Sequence, residues 1–548
     1  MGRVQSIVSR ANRKVTVQIA AALISGSTLV SFLFGFFRMR LLNAAYYDSY
    51  KAGYDAYIAA FKIPDFMFFI LVSGALSVTF IPVFNQRLIS GNKKSAWQLS
   101  SSMINFMAGV TLIASILIMI FADPLVRYIV GPGFSESSHA LAVSMMRVIA
   151  INPFLFAIAA VLASIQQAVG RFAFFTMAPI LYNIGIVIGI TVFTNGIDIF
   201  GWHVFDGGIM GVALGVVLGS ILQLAVSALG LLGLGFDYQF KIYWKNKGFR
   251  KVLQLLPPRS IDQAMDYIVG IVETNIASRF KAGTIAAYDQ ASVLHMAPIN
   301  LIGAAISTAV FPRMTERLSE GRMDLFKSDL QNVIRVIIWL SLPVTIITFF
   351  TRGYVVNFIK NGGDSLMAGL LGALVVAILF RSIYFISARS FYAQQDTKTP
   401  LYISIFSIGL NIFLAIWFTT QLDMGPYGLA WAQSIVAFVE VVILFAVMSR
   451  RIPGLFDRKF WNTVWRMASA TGFMSLFTYV LVLVFPLKAT DNTFVSTFPK
   501  FCLIAGLSLA FYIFISKIMK LKEANPVIRV LRRMLFGRVQ MPKSKKPL

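Results

Sequence analysis

Runs of about twenty mostly apolar residues recur along the whole chain. A segment of that length and composition crosses a bilayer as a helix, because the hydrocarbon core holds no water to satisfy an open backbone. With 57% hydrophobic and 13% charged residues, the chain leaves no room for a sizeable soluble domain. We predict about fourteen spans, near residues 17–38, 54–84, 99–122, 138–164, 173–195, 207–235, 255–279, 285–312, 329–351, 366–389, 400–422, 426–449, 463–486 and 498–517.

The chain also repeats itself at a shift of about 230 residues. The segment 77–82 (SVTFIP) returns as 307–312 (STAVFP), and an arginine–leucine pair follows at the same distance in both copies. Asn183 likewise returns as Asn411. Internal repeats of helical bundles are typical of secondary transporters, in which two related lobes move around a shared central site.

The repeat fixes a predicted architecture. Six predicted spans separate each segment from its copy, and an even number preserves orientation, so the repeats are parallel. We predict an all-α polytopic membrane protein with two six-helix lobes and two extra C-terminal helices. The boundaries are an N-terminal lobe at 1–240, a C-terminal lobe at 241–452, two additional transmembrane helices at 453–520 and a basic cytoplasmic tail at 521–548.

The net charge of +26 is spread in a pattern typical of a membrane protein and not of a nucleic-acid-binding protein. Lysines and arginines concentrate before the first span, in the even-numbered connections and in the tail. This positive-inside pattern places both termini in the cytoplasm. We expect the basic tail to contact anionic lipid headgroups, with no nucleic acid as partner.

Nothing in the sequence indicates an enzyme or a resident metal. It contains no Gly-rich phosphate loop with lysine, no HExxH and no nucleophile elbow. The one cysteine, Cys502, lies in an apolar run and excludes a disulfide framework, and the three histidines lie far apart. No small-residue cleavage site follows the first apolar run, so we interpret it as a span and not as a cleaved signal.

Several segments resemble the MurJ (MviN) lipid II flippases of the multidrug/oligosaccharidyl-lipid/polysaccharide exporter superfamily. The most specific is 391–400 (FYAQQDTKTP), which contains an Asp-Thr-Lys-Thr-Pro run. The resemblance extends roughly from Ser25 to Arg450 and includes 60–64 (AFKIP), 131–134 (GPGF), 170–172 (GRF), Ala178-Pro179, Asn183 and Phe311-Pro312.

The resemblance implies a flippase that moves the undecaprenyl-diphosphate-linked peptidoglycan precursor across the cytoplasmic membrane by alternating access. A sugar-diphosphate headgroup cannot cross hydrocarbon unaided, because burying unpaired charge costs many kcal/mol. Such a protein needs a polar cavity with cations for the diphosphate, and arginine matches phosphate oxygens best. The family implies four arginines. Arg38 stands at one of these positions, whereas Phe32, Phe68 and Val293 stand at the other three.

Four residues are candidates for binding the substrate. Arg38 matches the family at the end of the first span, and the alternative is an interfacial arginine that reaches the membrane surface. Asp55 and Lys62 lie on one helical face of the second span, where charge indicates a functional site, and Asp65 follows Lys62 at helical spacing. The alternative for Asp55 and Lys62 is a pair that satisfies itself inside a kinked helix. His295 lies two residues after Val293 and could replace the missing arginine as a titratable group, although a histidine in a membrane helix more often bonds a neighbouring helix.

Two further sets follow from the resemblance. Glu273 resembles an acidic sodium ligand and Asn411 a second one, whereas a third ligand position falls on Ala415; sodium or the membrane potential is thus a candidate coupling force, with no other cofactor. An interhelical hydrogen-bond network is the alternative role for the acidic stripe Asp262, Asp266 and Glu273. Around the connection between the tenth and eleventh spans, we predict a cytoplasmic gate loop containing Arg389, Asp396 and Lys398.

Two alternatives to lipid II flipping stay open at the sequence level. One is an exporter of the same superfamily for another lipid-linked oligosaccharide or small molecule. The other is a transport-inactive scaffold that recruits cell-wall synthesis proteins, which the three apolar replacements of arginine favour. The expected partners are the lipid-linked diphosphate sugar, membrane lipids and such proteins.

Overall fold

Most of the described residues are helical. The computed structural model describes residues 17–72, 75–199, 202–488 and 490–529. The chain divides into two compact units, Met1–Asp289 and Gln290–Leu548. The lobe boundaries predicted from the sequence stay predictions.

The first unit is built from nine helices, the start of a tenth and a short hairpin within the described residues. The helices are α1 (Val17–Leu42), α2 (Lys51–Leu71), α3 (Ala75–Ile89), α4 (Lys93–Pro124), α5 (Glu136–Ile149), α6 (Asn152–Ala168), α7 (Ala173–Thr191), α8 (Met210–Leu229), α9 (Lys247–Ala277) and α10 (Thr284–Ile299). Strands β1 (Ile197–Ile199) and β2 (Trp202–Phe205) pair antiparallel between α7 and α8. One-turn π-helices follow α1 (Asn43–Tyr47) and α4 (Leu125–Val130), and a 3-10 turn (Phe193–Asn195) follows α7.

The second unit continues from α10, which crosses the boundary between the units. A π-helical turn (Asn300–Ala304) joins α10 to the next helix. The remaining helices, within the part of the chain that is described, are α11 (Ala305–Ser319), α12 (Met323–Phe350), α13 (Arg352–Ile359), α14 (Ser365–Ala393), α15 (Lys398–Thr420), α16 (Tyr427–Arg451), α17 (Arg458–Val484) and α18 (Phe494–Ile518).

Twelve helical segments among the described residues are long and apolar enough to cross a membrane. They coincide with twelve of the predicted spans, and the multi-pass, all-helical prediction is confirmed. The other two predictions, at 54–84 and 255–279, fall on helices that are too polar or too short to qualify: α2 with α3, and α9. Charge on α2 and α9 has a structural explanation, because both helices line a polar cavity.

The helix bounds repeat at the shift seen in the sequence. Helix α3 ends at Ile89 and α11 at Ser319, and α4 begins at Lys93 and α12 at Met323; each pair is 230 residues apart. Pro82 and Pro312 both lie inside a helix, α3 and α11 respectively. The two halves therefore share a local pattern of elements. Superposition of whole lobes stays a prediction, as does the cytoplasmic placement of both termini, since residues 1–16 and 530–548 lie outside the described residues.

Each unit has its own apolar core. In the first, Phe80, Phe84 and Leu99 are fully buried with Phe249 at the start of α9. In the second, α12 packs against α17 and α18, the two helices without a copy. There the Trp339 indole N–H donates to Ser516 Oγ (3.1 Å), which fixes α12 to α18.

A seam of glycines joins α7 to α8. Gly185 and Gly189 on α7 face Gly215 and Gly219 on α8 so closely that no side chain lies between the backbones. A Cβ atom placed on Gly189 would lie 2.6 Å from Gly215 Cα, well inside van der Waals contact. Small residues allow this approach, as they do at other helix contacts within membranes.

Candidate functional site: a charged cavity in the first unit

The first unit contains a polar cavity of about 570 Å³. Five helices form its wall, α1, α2, α7, α9 and α10, and the lining residues are Arg38, Tyr57, Ile58, Phe61, Lys62, Asp65, Tyr182, Asp266, Tyr267, Gly270 and Asp289. Charged side chains inside a membrane protein are costly unless they face water or partners, so a cavity is where such residues belong. The lining contains two cations and three carboxylates.

Lys62 forms an ion pair across the cavity wall. Its Nζ lies 3.1 Å from Asp289 Oδ1, and this contact links α2 to α10. The two side chains are 22% and 36% exposed, so both remain open to the cavity. Lys62 thus lines this cavity, and its partner is Asp289 and not Asp55, the acid two turns earlier on the same helix. Its role in binding the substrate stays a prediction.

Arg38 is the second cation of the cavity. Its guanidinium makes no ion pair or hydrogen bond with any residue in the described part of the chain. Two lining carboxylates, Asp65 and Asp266, are likewise without a described partner. Arg38 is therefore the cation whose donors remain free for an anionic ligand.

Tyrosines supply much of the remaining wall. Tyr267 stacks on Phe69 with ring centroids 4.0 Å apart, which holds α9 against α2. Tyr182 of α7 packs edge-to-face against Phe156 at 5.4 Å. Tyr57, Tyr182 and Tyr267 thus add amphipathic rings to the lining of the cavity.

The three apolar positions that the family resemblance assigns to arginine are not among the residues that line this cavity. Phe68 packs against Phe156 with centroids 5.5 Å apart and contributes to the core of the first unit. Phe32 is 64% exposed on α1, and Val293 of the second unit is 48% exposed. Among the lining residues, Arg38 is thus the single arginine.

Asp55 has a structural task and does not line the cavity. It is 4% exposed, and its two carboxylate oxygens accept the backbone N–H groups of Gly283 (2.6 Å) and Ala286 (2.8 Å). These donors belong to the first turn of α10, which has no intrahelical acceptors for them. Asp55 therefore caps α10 from a neighbouring helix. Its predicted role in binding the substrate stays a prediction.

We expect Asp55→Ala to destabilise the protein by about 2 kcal/mol, because two buried N–H groups would lose their acceptor. The measurement is the thermal unfolding midpoint of the purified protein in detergent. Asp266→Ala is the matched control, because this exposed carboxylate has no described partner. Equal midpoints for the two variants would contradict the capping role.

The remaining sequence candidates lie elsewhere. Glu273 is buried on α9 and accepts a hydrogen bond from the Tyr288 hydroxyl (2.7 Å). Asn411 is buried on α15 and His295 on α10, both in the second unit, and neither lines the cavity. The sodium site and the substrate role of His295 stay predictions, and the side chain of Asp262 lies outside the described residues.

Comparison with known proteins decides the family. The family model described as lipid II flippase MurJ matches residues 50–500, most of the chain. The chain belongs to the lipid II flippase MurJ family. The resemblance noted in the sequence is thereby confirmed.

Individual relatives of the MurJ family agree with this assignment. The probable lipid II flippase MurJ of Borreliella burgdorferi is 22% identical over 439 residues, which cover 79% of this chain and 83% of that protein. The corresponding protein of Buchnera aphidicola subsp. Schizaphis graminum is 28% identical, with 76% and 80% covered.

Solved structures share the fold. A lipid II flippase MurJ in an inward closed conformation is 23% identical, covers 93% of this chain and 100% of its own, and has a TM-score of 0.74. An inward-facing multidrug resistance MATE family transporter of the MOP superfamily is 16% identical, with 83% and 99% covered and a TM-score of 0.64.

The loop that carries the most specific family motif is tied together by Asp396. Its Oδ1 accepts the backbone N–H groups of Lys398 and Thr399 at the start of α15 (both 3.0 Å). Its Oδ2 lies 2.6 Å from Arg451 Nη2, at the end of α16. The Lys398 side chain is exposed, and Arg389 donates instead to Thr308 Oγ1 of α11 (2.5 Å). The motif thus anchors a loop, whereas its role as a gate stays a prediction.

We expect low pH to destabilise the loop that Asp396 holds together. Burial alone would raise the pKa of Asp396, but hydrogen bonds from Thr399 and the Arg451 ion pair outweigh it and hold the pKa at about 2, below the ordinary value of 3.8. A depressed pKa contributes stability that is fully present above the unfolded pKa of about 4 and is lost as the pH falls through the folded pKa of about 2. We expect Asp396→Asn to lower the unfolding midpoint at neutral pH, with the difference from wild type shrinking as the pH falls toward 2 and vanishing below it. A constant difference between the two unfolding midpoints across that pH range would contradict this assignment.

Sequence reasoning missed several of the wall residues. Asp289 was not singled out, although a carboxylate five residues into a predicted span is itself a signal of a functional or paired position. Tyr57, Tyr182 and Tyr267 carried no signal of their own, because single tyrosines in spans are common at any face.

Proposed function

We propose that this protein is a flippase that moves lipid II, the undecaprenyl-diphosphate-linked peptidoglycan precursor, across the bacterial cytoplasmic membrane. The observation that carries the proposal is the unpaired guanidinium of Arg38 in a polar cavity of a MurJ-family membrane protein. A diphosphate needs such a site, because burying it without charge-assisted partners costs many kcal/mol.

Binding of the diphosphate rests on Arg38 more than on Lys62. Asp289 neutralises Lys62 at 3.1 Å, so a phosphate oxygen would have to displace a carboxylate to reach the ammonium group. The planar fork of Arg38 can donate two parallel hydrogen bonds to phosphate without displacing a described partner. Each charge-assisted hydrogen bond contributes about 1.5–3 kcal/mol. We therefore expect weaker diphosphate binding than in a family member with four arginines.

A second candidate function is a transport-inactive scaffold for cell-wall synthesis proteins. One observation favours it: Phe32, Phe68 and Val293 replace three family arginines, and none of the three lines the cavity. Three carboxylates also face two cations there, which reduces the attraction for an anion. A scaffold would keep the fold and its protein partners but would need no headgroup binding.

Two measurements separate the candidates. The first is rescue of growth in a bacterium depleted of its own lipid II flippase, and the second is binding of lipid II to the purified protein. Rescue together with binding supports the flippase. A protein that is made and membrane-inserted but neither rescues nor binds would replace the flippase with the scaffold.

Coupling and orientation complete the proposal. We propose that sodium or the membrane potential drives transport, with Glu273 and Asn411 as the candidate ion ligands. We also propose that both termini face the cytoplasm. A cysteine placed in the loop at 241–251, in a Cys502→Ala background, should resist labelling from outside intact cells.

A further inference from the structure

A second cavity of about 360 Å³ lies in the first unit, apart from the one described above. It forms where α3 ends, where α4 begins and where the chain enters α9. Arg87 comes from α3, Ser95 and Gln98 from α4, and Lys245 and Lys247 from the approach to α9 and its first residue. Residues distant in sequence are thus brought to one place by the fold.

The guanidinium of Arg87 is held in a fixed position over this cavity. Nε donates to Ser95 Oγ (3.0 Å), Nη1 to the Val83 carbonyl (3.2 Å) and Nη2 to Asn246 Oδ1 (3.3 Å). The same Asn246 oxygen accepts the backbone N–H of Gly248 (2.9 Å). A guanidinium carries five N–H donors, so donors remain for a ligand.

Gly248 is required for this arrangement. It lies in the first turn of α9, and a Cβ atom built there would overlap the guanidinium of Arg87. Arg87 therefore lies flat against the backbone at the start of the helix. A fixed arginine loses little conformational entropy when it binds an anion.

The cavity has positive charge without a counter-ion. Arg87, Lys245 and Lys247 line it, and no carboxylate does. All described partners of Arg87 are neutral, and neither lysine makes an ion pair or hydrogen bond within the described residues. Three like charges around one cavity repel one another, and an anion in the cavity would relieve that repulsion.

The position of the cavity indicates where the anion comes from. Helix α4 is a membrane span that begins at Lys93, and α8, the span before the basic loop, ends at Leu229. The cavity thus lies at the start of a membrane span. Lipid headgroups surround the ends of membrane spans. Two aromatic side chains of the same loop, Phe240 and Trp244, are 91% and 54% exposed, as is typical of residues at the membrane interface.

We propose that this cavity binds the phosphate of an anionic membrane phospholipid. Arg87 supplies the fixed donors, Lys245 and Lys247 supply compensating charge, and the exposed aromatic side chains lie beside the acyl chains. The site is separate from the headgroup cavity around Arg38 and does not depend on the flippase proposal.

The test is titration of the delipidated full-length protein with phosphatidylglycerol, followed by native mass spectrometry of the first bound lipid. We expect Arg87→Gln to weaken that affinity by at least about tenfold. Lys245→Gln, which leaves the Arg87 contacts intact, should weaken it less. Lys241→Gln is the matched control, because this lysine lies over the Tyr243 ring (5.5 Å) in the same loop but does not line the cavity.

Two comparison ligands identify the chemistry. Diacylglycerol, which lacks the phosphate, should not compete with phosphatidylglycerol, and millimolar inorganic phosphate should not displace it. Displacement by inorganic phosphate would overturn the lipid as source and indicate a soluble phosphate. Equal losses in Arg87→Gln and Lys241→Gln would overturn the site and leave only general surface charge. If Arg87→Gln fails to fold, Gly248→Ala, which displaces the guanidinium and keeps its charge, provides the same test.

Discussion

Replacing Arg38 with alanine is expected to abolish rescue of a flippase-depleted bacterium and to weaken lipid II binding by about a hundredfold or more. Arg38 is the cavity cation without a described carboxylate partner, so its two parallel donors have no substitute in the wall. Lys62 cannot take over without giving up Asp289. The measurements are growth rescue and the dissociation constant of purified protein for lipid II.

The matched control is Arg40→Ala, which removes the same side chain two residues further along α1. Arg40 does not line the cavity, and this variant should bind and rescue like wild type. Equal behaviour of the two variants would show that Arg38 is only an interfacial anchor. An unchanged unfolding midpoint for Arg38→Ala would confirm that the loss concerns binding and not folding.

The second large effect is expected at the glycine seam. Gly189→Val should destabilise the protein by at least about 3 kcal/mol, because its Cβ would meet the backbone of α8, which cannot move aside as a side chain can. The Cβ position lies 2.6 Å from Gly215 Cα. We expect a lower yield of folded protein in the membrane and a lower unfolding midpoint in detergent.

Gly109→Val is the control for the seam. Gly109 is a helical glycine on α4 with no other atom within 4 Å of a built Cβ, so valine there should change stability by less than about 0.5 kcal/mol. Similar losses in both variants would mean that helix propensity, and not close packing, explains the effect.

Most of the fold could be predicted from the length of the apolar segments and from the internal repeat. Twelve predicted spans coincide with helices that are apolar enough to cross a membrane, because the bilayer leaves a long apolar segment no other structure. The spans at 54–84 and 255–279 were harder to predict, because the charged residues with which α2 and α9 line the cavity also lower the mean hydropathy of these helices. The break after Val72, between α2 and α3, was missed although the next two residues in the sequence, Ser73-Gly74, form a dipeptide that is typical of turns.

The site was only partly predictable, for a different reason. Lys62 could be placed in the cavity because a charged residue in a span needs water or a partner, and Arg38 because it matches a family position. Asp55 also needs water or a partner, and it finds its partners at the start of α10. This contact joins residues 228 positions apart, which no local sequence pattern reveals. The partner of Lys62 is likewise distant, since Asp289 lies 227 residues later.

The ion pair between Lys62 and Asp289 has a consequence for turnover. A transporter must return to its starting conformation after the substrate has left. Closure of the empty cavity then leaves unpaired any buried charge whose partner was the substrate. We expect Lys62 to stay paired with Asp289 during that step, because both residues belong to the same unit, so that its ammonium group keeps a countercharge. Arg38 has no carboxylate partner among the described residues. Closure without a bound anion therefore costs the desolvation free energy of its guanidinium. Lys62 thus adds little cost to the return of the empty protein. Arg38, in contrast, disfavours conformational cycles in which no substrate is moved.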